Sequence, residues 1–133
     1  MSGSFADSNV LLYLAKHDLT KARVTEQLLD EGLTISVQVL NEVANVCIKK
    51  FKRPWSDADL LLGRLRAICR VVPVDEDIHD LGISVAKRHR LAIYDSMIIA
   101  AALFAGCDTL YSEDMPHGLI VVGRLTIVNP FLV

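Results

Sequence analysis

The sequence contains little of what marks a secreted or membrane protein. Its three cysteines, Cys47, Cys69 and Cys107, are odd in number and form no CxxC pair. This argues against a disulfide framework or a zinc site and predicts reduced core residues of a cytoplasmic protein. No apolar run approaches the roughly 20 residues that span a bilayer, so we expect no association with a membrane. The N-terminus lacks a basic segment followed by an apolar one, which argues against a signal peptide.

Strong charge of either sign is also missing. The formal net charge is −2, from 14 basic and 16 acidic residues, so bulk charge does not indicate a nucleic-acid-binding protein. Aromatic residues make up only 6% of the chain and hydrophobic residues 52%, which predicts an aliphatic core and excludes extensive disorder. The length of 133 residues fits one domain. We predict a single domain over residues 1–133, with residues 1–4 compatible with a cloning remnant.

Short apolar segments alternate with amphipathic ones along the whole chain. Strands are predicted near residues 5–7, 33–37, 71–74, 109–111, 119–122 and 125–128, and helices just after residue 7, over 18–29 and 37–50, from 56 or 57, and over 76–89 and 95–105. Pro73 indicates an edge strand or a strand end. The alternation predicts an α/β fold, a three-layer sandwich in which a mainly parallel sheet is flanked by helices.

The most informative stretch is the helix predicted to begin near Asp95. Its interior, MIIAAAL, is apolar on nearly every face, so it must be covered by protein on most sides. Gly106 is expected to end it. The strand that follows leads into Glu113 and Asp114. The simpler interpretation is that Asp95 caps its helix and Asp114 occupies a turn.

Four acidic residues lie at or close to strand–helix transitions: Asp7, Glu42, Asp95 and Asp114. In a parallel α/β sheet these transitions share the carboxyl edge, where ligands bind. Carboxylates gathered there repel one another unless a cation neutralises them, and oxygen-only ligands suit Mg²⁺ or Mn²⁺. Such an ion can orient and deprotonate water for attack on a phosphodiester. The pattern therefore predicts metal-dependent phosphodiester hydrolysis.

Two other phosphate-handling classes fit less well. A receiver-type signalling domain needs adjacent acids early in the chain and a lysine after a late strand, and neither is where it is required. A haloacid-dehalogenase-type phosphatase needs Asp-x-Asp after the first strand, but the second residue after Asp7 is Asn9.

Four stretches carry a family resemblance: FADSNVLLYL, VLNEVANV, IYDSMIIAAAL and LYSEDMPHG. In order and spacing they resemble the PIN-domain ribonucleases, and more narrowly the VapC-type toxins of bacterial toxin–antitoxin modules. The resemblance extends from about Phe5 to Phe131. It implies a central parallel sheet packed between helices and Mg²⁺- or Mn²⁺-dependent hydrolysis of RNA. A catalytically inert PIN-like module that binds RNA or protein is the alternative.

Residue by residue, the resemblance assigns the catalytic and metal-binding carboxylates to Asp7, Glu42, Asp95 and Asp114. It makes Ser8 and Asn9 candidates to hydrogen-bond a ligand or a metal-bound water, and Glu113 a candidate supporting acid. It also implies a VapB-type antitoxin, whose C-terminal tail occupies the groove and site, and a homodimer. The expected substrate is single-stranded RNA, in a tRNA anticodon, a ribosomal loop or messenger RNA.

RNA contact needs cations, and the densest group of them is Lys49, Lys50, Lys52 and Arg53. This group is predicted to bind phosphates, although basic residues are also common at solvated helix ends. Nearby Trp55 is interpreted first as a core or interface anchor and second as a base-stacking residue. The four histidines lack ligand spacing. His117 is the one near the predicted site.

Overall fold

The computed structural model describes residues 3–132. Its strands are β1 (Ser4–Ala6), β2 (Thr34–Ser36), β3 (Arg70–Val72), β4 (Thr109–Tyr111), β5 (Ile120–Val121) and β6 (Leu125–Val128). Its helices are α1 (Ser8–Leu11), α2 (Leu19–Glu31), α3 (Val37–Lys49), α4 (Trp55–Ile68), α5 (Glu76–His89) and α6 (Ile93–Phe104), and a 3₁₀ segment, Leu12–Ala15, continues α1. The predicted elements are all present, with ends shifted by a few residues. Ser4, within the segment compatible with a cloning remnant, lies in β1; Met1 and Ser2 lie outside the described residues.

The strands form one sheet in the order β3-β2-β1-β4-β6-β5. All neighbouring pairs are parallel except β5 and β6, which are antiparallel. The predicted α/β class with a mainly parallel sheet is therefore confirmed. Phe5, Ile35, Leu110 and Ile127 are fully buried at its centre, as expected for strands covered by helices on both faces.

The edge strand β3 ends at Val72, directly before Pro73. Proline lacks the N–H that a ladder requires, so it is tolerated at such a position. The prediction of an edge strand or strand end is confirmed in both respects.

Side-chain caps place the helices close behind the strands. Ser36, the last residue of β2, accepts a hydrogen bond from Val39 N and caps α3. Asp18, the first residue of the helix predicted over 18–29, caps α2 by accepting a hydrogen bond from Lys21 N. Gly106 follows α6 with φ +78°, a left-handed conformation that favours glycine.

Helix α6 is the most deeply buried helix described, with every residue from Ser96 to Leu103 buried. It begins at Ile93, two residues before the predicted start, so Asp95 lies within its first turn. It packs against α5 at Gly82, where an added Cβ would lie 2.5 Å from Met97 Sδ. This close approach fixes the position of α6, and with it the position of Asp95.

The three cysteines are free and buried, as predicted. Among the described residues, no helix has the length and apolar character needed to cross a membrane.

Candidate active site

The carboxyl edge of the sheet opens into a cleft of about 330 Å³. All four acids predicted from the sequence line it: Asp7, Glu42, Asp95 and Asp114. Asp7 follows β1, Asp114 follows β4, and Glu42 lies on the helix after β2. Asp95 enters from the first turn of α6. The parallel pairing of β1 with β2 and β4 brings the first three junctions together.

Asp7 is the most buried of the four, with 3% of its surface exposed. Its Oδ1 accepts a hydrogen bond of 2.7 Å from Ser8 N, and its Oδ2 accepts from Ser112 Oγ at 2.9 Å and from Asn9 Nδ2 at 3.1 Å. Backbone and side chains on two strand ends therefore fix both oxygens of this carboxylate.

The environment of Asp7 opposes its ionisation. Burial raises its pKa, the hydrogen bond from Ser112 lowers it, and the negative charges of Glu42 and Asp95 raise it again, to about 6. A carboxylate that shares a site with like charges binds protons more readily for the same reason. The pKa of Asp95 is also raised, by burial and by the charges of Glu42 and Asp114. The four acids therefore form one electrostatically coupled group.

Ser8 and Gln38 hold Glu42 toward the cleft. Ser8 Oγ donates to Glu42 Oε1 at 2.7 Å, and lies 3.4 Å from Asp7 Oδ1. Gln38 Nε2 donates to Glu42 Oε2 at 3.0 Å and to the carbonyl oxygen of Tyr94 at 3.0 Å. Ser8 thus links Asp7, which precedes α1, to Glu42 on α3, and Gln38 links Glu42 to the first turn of α6.

Asn9 links Asp7 to Asp114, as Ser8 links Asp7 to Glu42. Its amide donates to Asp7 Oδ2 at 3.1 Å and to Asp114 Oδ2 at 3.2 Å, and its Oδ1 accepts from Glu113 N at 3.0 Å. Both polar residues after Asp7 therefore contact cleft acids directly.

Asp95 does not cap its helix. The cap position of α6 is Ala92, which makes no side-chain hydrogen bond there, so the simpler interpretation of Asp95 is wrong. Its carboxyl group lies instead in the cleft beside the other three acids.

Glu113 faces the cleft but is paired with a cation. Lys21 Nζ donates to Glu113 Oε2 at 2.6 Å, and Tyr13 Oη donates to Oε1. Burial opposes ionisation of Glu113, but these two hydrogen bonds outweigh it and lower its pKa. Lys21 and Tyr13 thus tie the loop after β4 to α2 and the 3₁₀ segment.

The predicted phosphate-binding residues are distributed over different surfaces. Lys50 lines the acidic cleft, and Lys52 and Arg53 line a neighbouring cavity. Lys49 lines a separate depression with Trp55. Trp55 is 62% exposed, so it is not a core residue, and its roles as an interface anchor or a base-stacking residue stay predictions. His117 Nδ1 accepts a hydrogen bond from Asn129 N, and no histidine is among the described residues that line the acidic cleft.

The cleft suits a hard divalent cation chemically, because it presents several carboxylate oxygens whose mutual repulsion a cation would relieve. Within residues 3–132, no group of three Asp, Glu, His or Cys side chains is already arranged to hold a metal ion. The acids surround a common space without forming a closed cage. Mg²⁺ is compatible with that arrangement, since it retains several waters and commonly binds one or two carboxylates plus substrate phosphate.

Several residues of this network are not predicted from the sequence. Ser112, Gln38, Tyr13 and Lys21 all hydrogen-bond to cleft acids. Gln38 carries a usable signal, because it lies one helical turn before Glu42. Ser112 follows a predicted strand directly, which is also a usable signal. The contacts of Lys21 and Tyr13 with Glu113 depend on tertiary packing alone.

The PIN-domain family model matches residues 4–115 of the chain. Comparison with curated protein sequences finds no match. Among solved structures, a toxin–antitoxin complex from Klebsiella pneumoniae is similar with a TM-score of 0.72 and 19% identity, covering 98% of this chain and 100% of that one. The FitAcB structure from Neisseria gonorrhoeae has a TM-score of 0.67 and 20% identity, covering 98% and 99%.

A sarcin–ricin-loop-cleaving VapC toxin of Mycobacterium tuberculosis is also similar, with a TM-score of 0.67 and 18% identity over 84% of this chain and 90% of that one. At these identities the likeness to solved structures establishes the fold. The family model independently covers most of the chain and all four cleft acids.

Proposed function

This chain belongs to the PIN-domain family, and from that premise we propose that it is a divalent-metal-dependent ribonuclease and the toxin of a VapBC-type toxin–antitoxin pair. The observation that carries the proposal is the convergence of Asp7, Glu42, Asp95 and Asp114 on one cleft at the carboxyl edge of the sheet. A similarly folded protein from Mycobacterium tuberculosis is described as cleaving the sarcin–ricin loop, which favours RNA as the substrate class.

In this mechanism the four carboxylates would hold one or two Mg²⁺ or Mn²⁺ ions. When bound, such an ion neutralises charge on the phosphodiester and increases the acidity of water. The protein supplies the positioning. Ser8 fixes Glu42, Asn9 fixes Asp7 relative to Asp114, and Ser112 fixes Oδ2 of Asp7. We assign no separate general base, because no histidine lines the described cleft.

The proposed protein partner is a VapB-type antitoxin. A groove of about 650 Å³ lies between α3 and α4, with apolar contributions from Val37, Leu40, Leu62 and Val71. An amphipathic helix of a partner fits a groove of this kind. The Klebsiella pneumoniae neighbour is itself described as a toxin–antitoxin complex.

We also propose that the chain forms a homodimer. Several large apolar side chains are exposed in the single chain, including Trp55, Leu60 and Phe104. A second copy of the chain could bury them. Light scattering on the chain purified without antitoxin should give twice the monomer mass. A strict monomer at micromolar concentration would contradict this part of the proposal.

The decisive experiment for the activity is cleavage of labelled RNA by the wild type and by Asp95→Asn. We expect cleavage that requires Mg²⁺ or Mn²⁺, stops with EDTA, and is lost in the variant while its circular dichroism spectrum is unchanged. Cleavage that survives chelation or the substitution would contradict metal-dependent catalysis at this cleft. RNA binding with neither cleavage nor metal uptake would favour the inert PIN-like module.

A further inference from the structure

One wall of the acidic cleft is basic and aromatic. Lys16, Lys50 and Phe51 line the cleft together with the acids. Lys16 and Phe51 also line an adjoining cavity of about 480 Å³, whose other lining residues include His17, Lys52 and Arg53. The two depressions therefore share a boundary that consists of one lysine and one phenylalanine. Beyond that boundary the lining changes from acidic to basic.

Two aromatic rings position the ammonium group of Lys16. Its Nζ lies 4.6 Å from the centroid of the Tyr13 ring and 5.8 Å from that of Phe51. Cation–π attraction acts at these distances without neutralising the charge. Among the ion pairs between described residues, none includes Lys16, whereas the nearby Lys21 is paired with Glu113. Lys16 thus presents a positive charge at the edge of the acidic cluster.

The loop that carries Lys52 is held in an unfavourable conformation. Lys52 has φ +54°, a left-handed backbone that L-residues rarely adopt because the Cβ comes too close to the following carbonyl oxygen. Arg53 secures the loop on both sides: its backbone N donates to Cys47 O at 2.9 Å, and its Nη2 donates to Ala15 O at 3.0 Å. Arg53 therefore anchors the loop, while the exposed side chains of Lys50 and Lys52 take part in no ion pair within the described residues.

These features match the chemistry of a single-stranded polynucleotide. The acids that would hold a metal also repel the phosphates on either side of the reacting one, so those phosphates need cations close by. Aromatic faces bind unpaired bases by stacking, largely regardless of sequence. The boundary between the two depressions provides both kinds of group side by side.

We propose that Lys16 and Phe51 join the acidic cleft to the basic cavity in one track that binds the nucleotides flanking the scissile phosphate of single-stranded RNA. Lys16, Lys50 and Lys52 contact phosphates, and Phe51 stacks on a base. The inference rests on the proposed function, because it takes RNA as the substrate of the cleft. It adds two binding residues, Lys16 and Phe51, that lie outside the acidic motifs.

The test is binding of a fluorescently labelled single-stranded RNA of about 12 nucleotides, measured by anisotropy in the Asp95→Asn background so that cleavage does not interfere. Lys16→Gln should weaken binding roughly 3- to 10-fold and reduce the slope of log affinity against log salt by about 0.7, the value for one lost single-strand phosphate contact. Lys16→Arg should restore both. Arg23→Gln is the matched control, because it removes one exposed positive charge from α2, away from both depressions.

Phe51 should respond differently. Phe51→Leu should weaken binding by about 5-fold or more with the salt slope unchanged, and Phe51→Tyr should retain it, because stacking needs a ring. Phe51 also packs partly against the core, so its replacement could reduce stability. A thermal melt of each variant therefore checks that the protein is still folded at the temperature of the binding assay.

The results separate this inference from the proposed function. If Lys16→Gln behaves like Arg23→Gln in affinity and salt slope, the track is wrong even if the wild type cleaves RNA. If the variants lose RNA binding as expected but the wild type never cleaves, the track is supported and the nuclease proposal fails. Tight binding of an acidic peptide with no binding of RNA would assign the surface to a protein segment and overturn the inference.

Discussion

The side-chain amide of Asn9 donates a hydrogen bond of 3.2 Å to Asp114 Oδ2 across 105 positions of sequence. The same amide donates to Asp7 Oδ2. Two carboxylates that repel each other are therefore held near one neutral donor. This contact joins α1 to the loop after β4 inside the cleft.

Replacing Asn9 with alanine should impair catalysis without removing a proposed metal ligand. We expect Asn9→Ala to lower the cleavage rate or the apparent Mn²⁺ affinity about 10- to 100-fold, the usual effect of losing a group that orients metal ligands. Saturating Mn²⁺ should recover part of the rate. Asn41→Ala, at an exposed position of α3, is the control, and equal behaviour of the two variants would contradict the positioning role.

The pKa of Asp7, raised to about 6, predicts a specific pH dependence of stability in the metal-free protein. Between its unfolded value of 3.8 and about 6, the folded state binds more protons than the unfolded state, so the free energy of unfolding decreases as the pH rises. In EDTA near pH 7.5, Asp7→Asn should be more stable than the wild type by about 1–3 kcal/mol. The difference should disappear near pH 4.

Divalent ions should make the wild type more stable than Asp7→Asn. At the higher pH, adding Mn²⁺ should stabilise the wild type, because the ion binds the folded state, and should stabilise Asp7→Asn much less. Denaturant unfolding with and without EDTA measures both effects. Asp80→Asn, at an exposed position of α5, should show neither. A wild type that is more stable than Asp7→Asn in EDTA at neutral pH would contradict the electrostatic description.

The neighbouring acids Glu113 and Asp114 should differ sharply in importance. The carboxylate of Glu113 forms an ion pair with Lys21 and accepts a hydrogen bond from Tyr13. The carboxylate of Asp114 accepts a hydrogen bond from the neutral amide of Asn9. Asp114→Asn should reduce cleavage at least about 100-fold, and Glu113→Gln less than about 10-fold, a smaller loss typical of a supporting group. Steady-state cleavage rates at saturating Mg²⁺ decide this. A larger loss in Glu113→Gln would exchange the roles assigned to the two residues.

Gly82 should be required for the packing of α5 on α6. An alanine Cβ there would lie 2.5 Å from Met97 Sδ and 3.3 Å from the Met97 backbone. We expect Gly82→Ala to lower the free energy of unfolding by about 1–2 kcal/mol through overpacking. It should also reduce cleavage, because α6 carries Asp95. Gly63→Ala is the control: nothing lies within 4 Å of its added Cβ, so the change should stabilise α4 by about 0.5–1 kcal/mol. Similar effects of the two substitutions would contradict the packing argument.

Much of the fold is predictable from local sequence because strand ends and helix starts carry their own signals. Asp18 caps α2, Pro73 follows an edge strand, and Gly106 ends α6, each for a reason confined to a few residues. The gathering of four acids at one edge is also predictable, since parallel strands share their carboxyl edge. Their assignment as metal ligands stays a prediction.

The hydrogen-bond network of the site is not predictable in the same way. The position of Ser112 directly after a strand is visible in the sequence, but its contact with Asp7 depends on the pairing of β4 with β1 in the register Ala6 to Tyr111, which no local pattern encodes. Lys21 reaches Glu113 from 92 positions away. Trp55 shows a further limit: the sequence leaves a core and an interface position open for it, and only the fold shows that it lies exposed at the start of α4.

The most direct test of the central claim is anomalous scattering from crystals grown with Mn²⁺. The account predicts a peak inside the cleft, in contact with carboxylate oxygens of at least two of Asp7, Glu42, Asp95 and Asp114, and no such peak in Asp95→Asn crystals. A wild-type cleft without Mn²⁺ at saturating concentration, in a protein that still cleaves RNA, would contradict it.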